Sequence, residues 1–281
     1  MTALIIEATK RLPDKWLAAT LGPGALWLAG LTLAVRLGHS HPFSFAAVAD
    51  AARSAGMLIG DQPAEAVAYG LLAMGGAAVI SSIARLAGSG VRALWFGRWR
   101  GPLAGPGRML TRWRANRARA QLHRAGTRLP ADYLPKTPTW IGDRLRLADT
   151  RVSAQYGLSL PLIWPRLWQL VDPDTRTLVQ QARARFDTAG TIGGWAACYL
   201  VPAVYWWPAS IAVVVLLATS WRRGRLAAAV FADAVESTVD LQHRALAQRL
   251  GHTVEPDKTL PPSVADAVND QLHKGGTPQP R

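Results

Sequence analysis

The hydrophobic positions of the chain are concentrated in three long runs that contain no charged residue. The runs cover residues 16–35, 66–84 and 188–221. A helix needs about 20 apolar residues to cross a bilayer core about 30 Å thick, so each of the first two runs predicts one transmembrane helix. The third run is too long for one span, because a straight helix of that length would measure about 50 Å. Its sequence "YWWP", residues 205–208, supplies interfacial aromatic side chains and a proline for a turn, and therefore predicts a helical hairpin.

The first run also follows a short basic segment, as the apolar core of a secretory signal does. A retained span is the better interpretation, because the run is long for a signal and no small-x-small cleavage site ends it before Arg36. In the third run, Gly190 and Gly194 form a G-x-x-x-G pair, which predicts a helix contact face.

The distribution of lysine and arginine predicts the orientation of these helices. Basic residues precede the first run, whereas the loop over residues 37–64 has only Arg53. Basic residues are frequent again over residues 85–185 and after residue 221. Cytoplasmic flanks collect Lys and Arg. The chain is therefore predicted to be an all-α, multi-pass protein of the cell membrane, with four transmembrane helices in two hairpins, a small cytoplasmic helical subdomain and both termini in the cytoplasm.

This topology divides the chain into seven segments. They are a cytoplasmic N-terminus (1–15), a first transmembrane hairpin with a short external loop (16–87), a basic juxtamembrane segment (88–137), a cytoplasmic helical subdomain (138–187), a second transmembrane hairpin (188–221), a cytoplasmic helix (222–251) and an irregular tail (252–281).

The charge of the chain is concentrated on the predicted cytoplasmic side. The net charge of +14 comes from 32 basic and 18 acidic residues, and residues 66–131 contain no acidic residue. Arginines interleaved with tryptophans next to a span are suited to anionic lipid headgroups. The predicted headgroup contacts are Arg92, Arg98, Arg100, Arg112, Arg114, Arg117 and Arg119, with Trp95, Trp99 and Trp113. Nucleic acid would suit the same composition, but the nearby span favours lipid. A basic linker without specific lipid recognition is the remaining alternative.

Two helices are predicted within residues 138–187. Thr139 is a suitable N-cap for a helix that continues to about Arg151. Asp172, as N-cap, and Pro173, at the first helical position, predict a second helix that continues into the third uncharged run. On the first helix, Asp143 and Asp149 do not share a face, so they are predicted to be surface ion partners.

The apolar stretch at residues 156–172 lies between polar segments and is not expected to cross the bilayer alone. Two positions are open to it: the headgroup zone, or the core of a small helical subdomain packed against the C-terminal helix. We favour the packed core, because the stretch is apolar on all sides. Trp164 and Trp168, four residues apart, would then share a buried face. Arg166 would face water, a headgroup or an acidic partner, and the candidates for that partner are Asp143, Asp149 and Glu236.

Residues 138–187 resemble a segment of uncharacterised multi-pass membrane proteins from bacteria. The resemblance rests on a P-T-x-x-G-D motif, "PTWIGD", followed by "YGL" and "WPRLW" before a membrane hairpin. It implies no known activity. The residues that the resemblance singles out for the subdomain and its partner are Gly142, Asp143, Arg144, Tyr156, Gly157, Trp164, Pro165, Arg166 and Trp168.

No catalytic motif is found in the sequence. It has no H-E-x-x-H, no G-x-S-x-G and no P-loop, and its single cysteine, Cys198, lies in an apolar run. We therefore expect no cofactor and no metal. The sequence favours a non-enzymatic membrane anchor or scaffold that presents its basic region to anionic lipid and to a protein partner or a second copy of the chain. The alternatives are an oligomeric channel or transporter and a membrane enzyme acting on lipid.

Overall fold

The computed structural model describes residues 14–44, 46, 48–50, 53, 57, 63–254 and 260–273. The predicted cytoplasmic N-terminus up to residue 13 and the last residues of the tail, 274–281, lie outside this part. All regular structure in the described part is helical, which confirms the all-α prediction. The helices are α1 (Asp14–Leu37), α2 (Pro63–Trp95), α3 (Ala104–Arg124), α4 (Trp140–Tyr156), α5 (Leu160–Leu170), α6 (Pro173–Tyr205), α7 (Pro208–Arg249) and α8 (Pro262–Leu272), with short 3-10 turns at Gly101–Leu103 and Ala131–Tyr133.

The predicted start of α6 and the predicted turn after it are confirmed, whereas α4 continues to Tyr156, past its predicted end at about Arg151. The backbone N–H of Thr175 donates to the Asp172 carboxylate at 2.9 Å, and α6 begins at Pro173. This capping bond lowers the pKa of Asp172. Helix α6 ends at Tyr205 and α7 begins at Pro208, so the turn lies within the "YWWP" sequence, residues 205–208, as predicted.

The chain forms two compact units. Unit 1 comprises Met1–Val91 and Ala189–Trp221, and unit 2 comprises Arg92–Thr188 and Arg222–Arg281.

Small residues make the helix contacts of unit 1. A Cβ added at Gly194 of α6 would overlap the carbonyl oxygen of Ala84 in α2, and one added at Gly88 would lie 2.9 Å from the carbonyl oxygen of Gly190. The indole N–H of Trp27 in α1 donates to the carbonyl of Cys198 at 3.0 Å. The predicted Gly190 and Gly194 pair therefore lies where two backbones approach closely.

Large apolar side chains lie on the outside of unit 1. Leu26, Leu72 and Val204 are each about 70% exposed. Among the described residues, one helix, Ala64–Trp95, is long and apolar enough to cross a bilayer, and the apolar segment Gly22–Leu37 is shorter. Four spans therefore remain a prediction.

Unit 2 has its own hydrophobic core, which includes the apolar stretch at residues 156–172. Ile163 and Leu167 of α5 are fully buried, together with Val239 of α7 and Val268 of α8. In the structure, the stretch at residues 156–172 is therefore packed in the core of unit 2. Trp164 and Trp168 share a face, with ring centroids 5.7 Å apart. The prediction that both are buried is wrong, because each side chain is half-buried.

Two helices of unit 2 were not predicted. Helix α3 lies in the basic segment, and α8 lies in the tail that was expected to be irregular. Ala265, Val268 and Leu272 of α8 recur at helical spacing and are buried. Their burial against α5 and α7 stabilises a helix of only 11 residues, which would be marginal in isolation.

Candidate functional site

The start of α4 is held by close backbone packing. The Thr139 hydroxyl accepts from the Gly142 N–H at 3.0 Å, which confirms the predicted N-cap, and it donates to the carbonyl of Trp95. A Cβ at Gly142 would lie 2.8 Å from the carbonyl oxygen of Phe96 and 2.8 Å from the Thr137 hydroxyl. The threonine and glycine of the "PTWIGD" motif therefore fix α4 against the segments at residues 95–97 and 137–139.

Asp143, the last residue of that motif, is buried and joins three segments. One carboxylate oxygen accepts from the backbone N–H groups of Lys136 and Thr137 at 2.9 and 3.0 Å. The other accepts from the Arg114 guanidinium of α3 at 2.7 Å. Arg146 contributes a longer ion pair at 3.6 Å. Asp143 is therefore an ion partner, as predicted, but its predicted position at the surface is wrong because the side chain is buried.

Three of the predicted headgroup residues make internal contacts instead, so we correct their assignment. Arg114 is committed to Asp143 and also donates to the carbonyl of Thr137 at 2.5 Å. Arg92 pairs with Asp187 at 3.3 Å. Trp95 is buried against Phe186, with ring centroids 5.6 Å apart.

The other arginines of the predicted headgroup set are exposed. These are Arg98, Arg100, Arg112, Arg117 and Arg119. Trp99 is half-buried, with its indole N–H donating to the carbonyl of Leu94 at 2.8 Å. The Arg117 guanidinium lies 5.6 Å from the centre of the Trp113 ring.

Helix α3 has two distinct faces. Gly107 and Ala115 are buried and Arg114 is mostly buried, so these positions form the packed face. On the opposite side, Met109, Trp113 and Arg117 follow at four-residue spacing and share a face. Met109 is 76% exposed and Trp113 is 56% exposed. We call this the outer face of α3. It combines two apolar side chains with one arginine.

Charged contacts join α4 to α7. Arg144 donates to Glu236 at 2.6 Å and also pairs with Asp233, and Arg151 pairs with Glu236 at 3.1 Å. Burial lowers the pKa of Arg144, but the hydrogen bonds and charges of Glu236 and Asp233 outweigh it and raise the pKa above its ordinary value. At one end of the contact, the Arg225 guanidinium lies 4.5 Å from the centre of the Trp140 ring.

Tyr156 closes the other end of this contact. Its hydroxyl donates to Asp240 at 2.8 Å, and its ring stacks on His243 with centroids 4.2 Å apart. Burial and the neighbouring Asp240 raise the pKa of Tyr156 to about 12. A phenol with that pKa keeps its proton at neutral pH, so Tyr156 acts here as a hydrogen-bond donor.

The predicted acidic partners of Arg166 are all engaged elsewhere. Arg166 itself donates to the carbonyl of Leu162, one turn back, at 3.0 Å. Asp149 accepts from the Leu160 N–H at 3.1 Å, and Asp143 and Glu236 are bound to other arginines. The prediction of an acidic partner for Arg166 within these three is therefore wrong. The prediction that Asp149 is a surface ion partner is also corrected, because its carboxylate accepts a backbone hydrogen bond from Leu160.

An aromatic cleft lies beside α5. It has a volume of about 590 Å³, and its lining includes Trp164, Trp168, Val179, Arg183 and Phe231. Arg176 fixes one wall, because its guanidinium lies 5.6 Å from the Trp168 ring and donates to the carbonyl of Trp168 at 3.2 Å. We call this site the Trp cleft.

Asn269 of α8 was missed at the sequence level. Its side chain accepts from the Ser159 N–H at 3.1 Å and donates to the carbonyl of Gly157 at 2.8 Å. Gly157 ends α4 with φ of 68°, a conformation that favours glycine. An isolated asparagine in a polar tail carries no sequence signal for this contact.

Comparison of the chain with known protein families, with curated proteins and with solved structures finds no match. The resemblance of residues 138–187 to bacterial membrane proteins therefore stays a prediction. Within the described residues there is no group of three or more His, Cys, Asp or Glu side chains placed to hold a metal ion.

Proposed function

We propose that the protein is an integral membrane anchor or scaffold. In this proposal unit 1 supplies four membrane-spanning segments. Unit 2 presents a basic face to anionic lipid and its Trp cleft to a protein partner. The basic face comprises the outer face of α3 and the exposed Arg98, Arg100, Arg112 and Arg119. The observation that carries the proposal is the contrast between the apolar exterior of unit 1 and the acid-free basic segment that follows α2 in the chain.

The exterior of unit 1 supports an apolar environment. Exposed leucine and valine side chains occur on each of its helices, for example Leu26 on α1, Leu72 on α2, Val204 on α6 and Val214 on α7. A soluble monomer rarely exposes a large contiguous apolar patch. In lipid such a surface has no cost, and close helix contacts through glycine, as at Gly194, are then the main source of association.

The positions of the basic residues support an orientation with the termini and unit 2 in the cytoplasm. We test it by single cysteines at Ser44 and at Thr127 in a Cys198→Ala background. An impermeant maleimide added to intact cells is expected to label position 44, and to label position 127 only after permeabilisation. Labelling at position 127 in intact cells would contradict the orientation.

The outer face of α3 supports contact with an anionic leaflet. Each basic residue near such a surface contributes about 1 kcal/mol, and Met109 and Trp113 add apolar contact. We expect the amide hydrogens of α3 in the full-length protein to exchange more slowly in nanodiscs containing phosphatidylglycerol than in phosphatidylcholine discs. Salt at 1 M shortens the screening length to about 3 Å and should reduce the difference. Equal rates of amide hydrogen exchange in the two kinds of disc would contradict the proposed contact with anionic lipid.

The Trp cleft supports the partner half of the proposal. Its aromatic lining resembles the anchor pockets of protein interfaces, where Trp and Arg are enriched. If a second copy of the chain occupies the cleft, Phe231→Ala should reduce the oligomer size measured by light scattering in mild detergent. Leu241→Ala is the matched control, since Leu241 is a 79% exposed residue of α7 that does not line the cleft. Unchanged oligomer size in both variants would exclude self-association through the cleft.

A further inference from the structure

A second pocket lies in unit 2 at the start of α3. It has a volume of about 350 Å³ and is lined by Gly97, Trp99, Ala104, Gly107, Arg108, Thr111, Arg112, Lys136 and Pro138. We call it the basic pocket.

The lining of the basic pocket has three cations and no acidic residue. Arg108 and Arg112 lie one turn apart on α3, and neither forms an ion pair with a residue of the described part of the chain. Lys136 pairs with Asp132 at 2.6 Å, but that carboxylate is 68% exposed and is not part of the lining. The pocket therefore has a surplus of positive charge that no described side chain within it neutralises.

The walls of the basic pocket are held in place before any ligand arrives. The Trp99 indole is fixed by its hydrogen bond to the carbonyl of Leu94 at 2.8 Å. The ring packs on α3 at Gly107, where a Cβ would lie 3.1 Å from the ring atom Cε3. Gly97, which turns the chain before Trp99, has φ of 74°. Preorganised walls lower the entropy cost of binding.

From these features we infer that the basic pocket is a discrete subsite for a phosphate group, in particular for the phosphomonoester headgroup of an anionic lipid. Two guanidinium groups bind phosphate oxygens through paired, charge-assisted hydrogen bonds. The Lys136 ammonium lies in the same lining but is paired with Asp132, so the two arginines carry the site. The lipid source of the phosphate rests on the proposed function. The subsite goes further than that function, because a diffuse basic face would attract all anionic lipids by their charge alone.

The test compares two pairs of substitutions in the full-length protein in a mild non-ionic detergent. The pocket pair is Arg108→Gln with Arg112→Gln. The control pair is Arg124→Gln with Arg128→Gln, which removes the same charge from exposed positions at and just after the end of α3, outside the pocket. Short-chain phosphatidic acid and phosphatidylglycerol are the anionic lipid probes, and short-chain phosphatidylcholine is the neutral lipid probe. Inorganic phosphate is the soluble probe, and bound molecules are counted by native mass spectrometry.

The subsite predicts one tightly held phosphatidic acid per chain, bound at least tenfold more tightly than phosphatidylglycerol. The pocket pair should lose that preference by tenfold or more, and the control pair should keep it. If inorganic phosphate binds as tightly as phosphatidic acid, the lipid source is overturned and the phosphate subsite stands.

Failure of the subsite and failure of the proposed function give different results. Diffuse attraction would give both pairs the same loss of affinity for anionic lipid, without a preference for phosphatidic acid. That result would overturn the subsite and leave the proposed lipid contact standing. Binding of neutral and anionic lipids alike by all variants would overturn both. Unchanged thermal unfolding midpoints are expected for all four substitutions, because the side chains are exposed.

Discussion

Asp143→Asn tests whether the carboxylate of the "PTWIGD" motif holds unit 2 together. Asparagine keeps the shape of the side chain and an oxygen that can accept from the Lys136 and Thr137 N–H groups. It removes the charge that faces the Arg114 guanidinium at 2.7 Å. The side chains of Asp143 and Arg114 are only 7% and 18% exposed, so the arginine is left as a mostly buried, unpaired charge.

Removing one partner of a buried ion pair costs about 3–5 kcal/mol. The lower end applies here, because Arg114 retains its hydrogen bond to the carbonyl of Thr137. A loss of about 3 kcal/mol corresponds to about a hundredfold change in an opening equilibrium, and it is a large part of the 5–15 kcal/mol that stabilises a typical domain.

Asp132→Asn is the matched control. It also removes one carboxylate from a pair with a basic residue, Lys136, at 2.6 Å, but the two side chains are 68% and 50% exposed. An exposed pair contributes about 0–1 kcal/mol. The two variants therefore lose the same formal charge and differ in the burial of the pair.

The assay is limited trypsin digestion of the full-length protein in detergent, followed at the Lys136–Thr137 bond by mass spectrometry. When opening and closing are fast, cleavage tracks the population of the open form. Asp143→Asn should raise the cleavage rate by about a hundredfold, and Asp132→Asn by less than about fivefold. Rates within threefold of each other in the two variants would refute the structural role of the Asp143 pair.

Three further predictions follow from close contacts and from one shifted pKa. Gly142→Ala should lower stability by about 1–3 kcal/mol through overpacking, whereas Gly105→Ala, with nothing within 4 Å of its Cβ, should not, as measured by thermal unfolding in detergent. Gly194→Ala should separate α2 and α6 and lower the unfolding midpoint of the whole protein, while Gly70→Ala, which is also uncrowded, should leave it unchanged. The pKa of Tyr156 is raised to about 12 from 10.0, so its contribution to stability is complete below pH 10 and is lost as the pH rises from 10 to 12. The stability difference between wild type and Tyr156→Phe should therefore narrow between pH 9 and pH 12, and a constant difference would contradict the shift.

The starts of α4 and α6 were predictable from the sequence because their causes are local. Asp172 caps α6 through its own backbone neighbours, and Thr139 caps α4 in the same way. The turn between α6 and α7 followed from "YWWP" and from the length of the uncharged run. Each of these depends on residues within a few positions, which is the range that a sequence pattern describes.

The partners of the arginines were not predictable, because their causes are distant in the chain. Arg114 and Asp143 are 29 residues apart, and Arg144 and Glu236 are 92 residues apart. In a segment with many arginines and no acidic residue, composition does not distinguish a paired arginine from an exposed one. Folding makes that distinction by placing Arg114 on the packed face of α3 and leaving Arg112 and Arg117 on other faces.

The difference between paired and exposed arginines also affects how a substitution in the "PTWIGD" motif should be interpreted. Gly142 and Asp143 join the residues before α3, α3 itself and α4 by packing and hydrogen bonds. A variant at either position that weakened lipid binding would do so by releasing α3, and it would speed trypsin cleavage at Lys136 by the same step. A variant at Arg108 or Arg112 would weaken lipid binding alone, because both side chains are exposed. Binding and cleavage measured on the same four variants therefore separate residues that position the basic face from residues that contact the ligand.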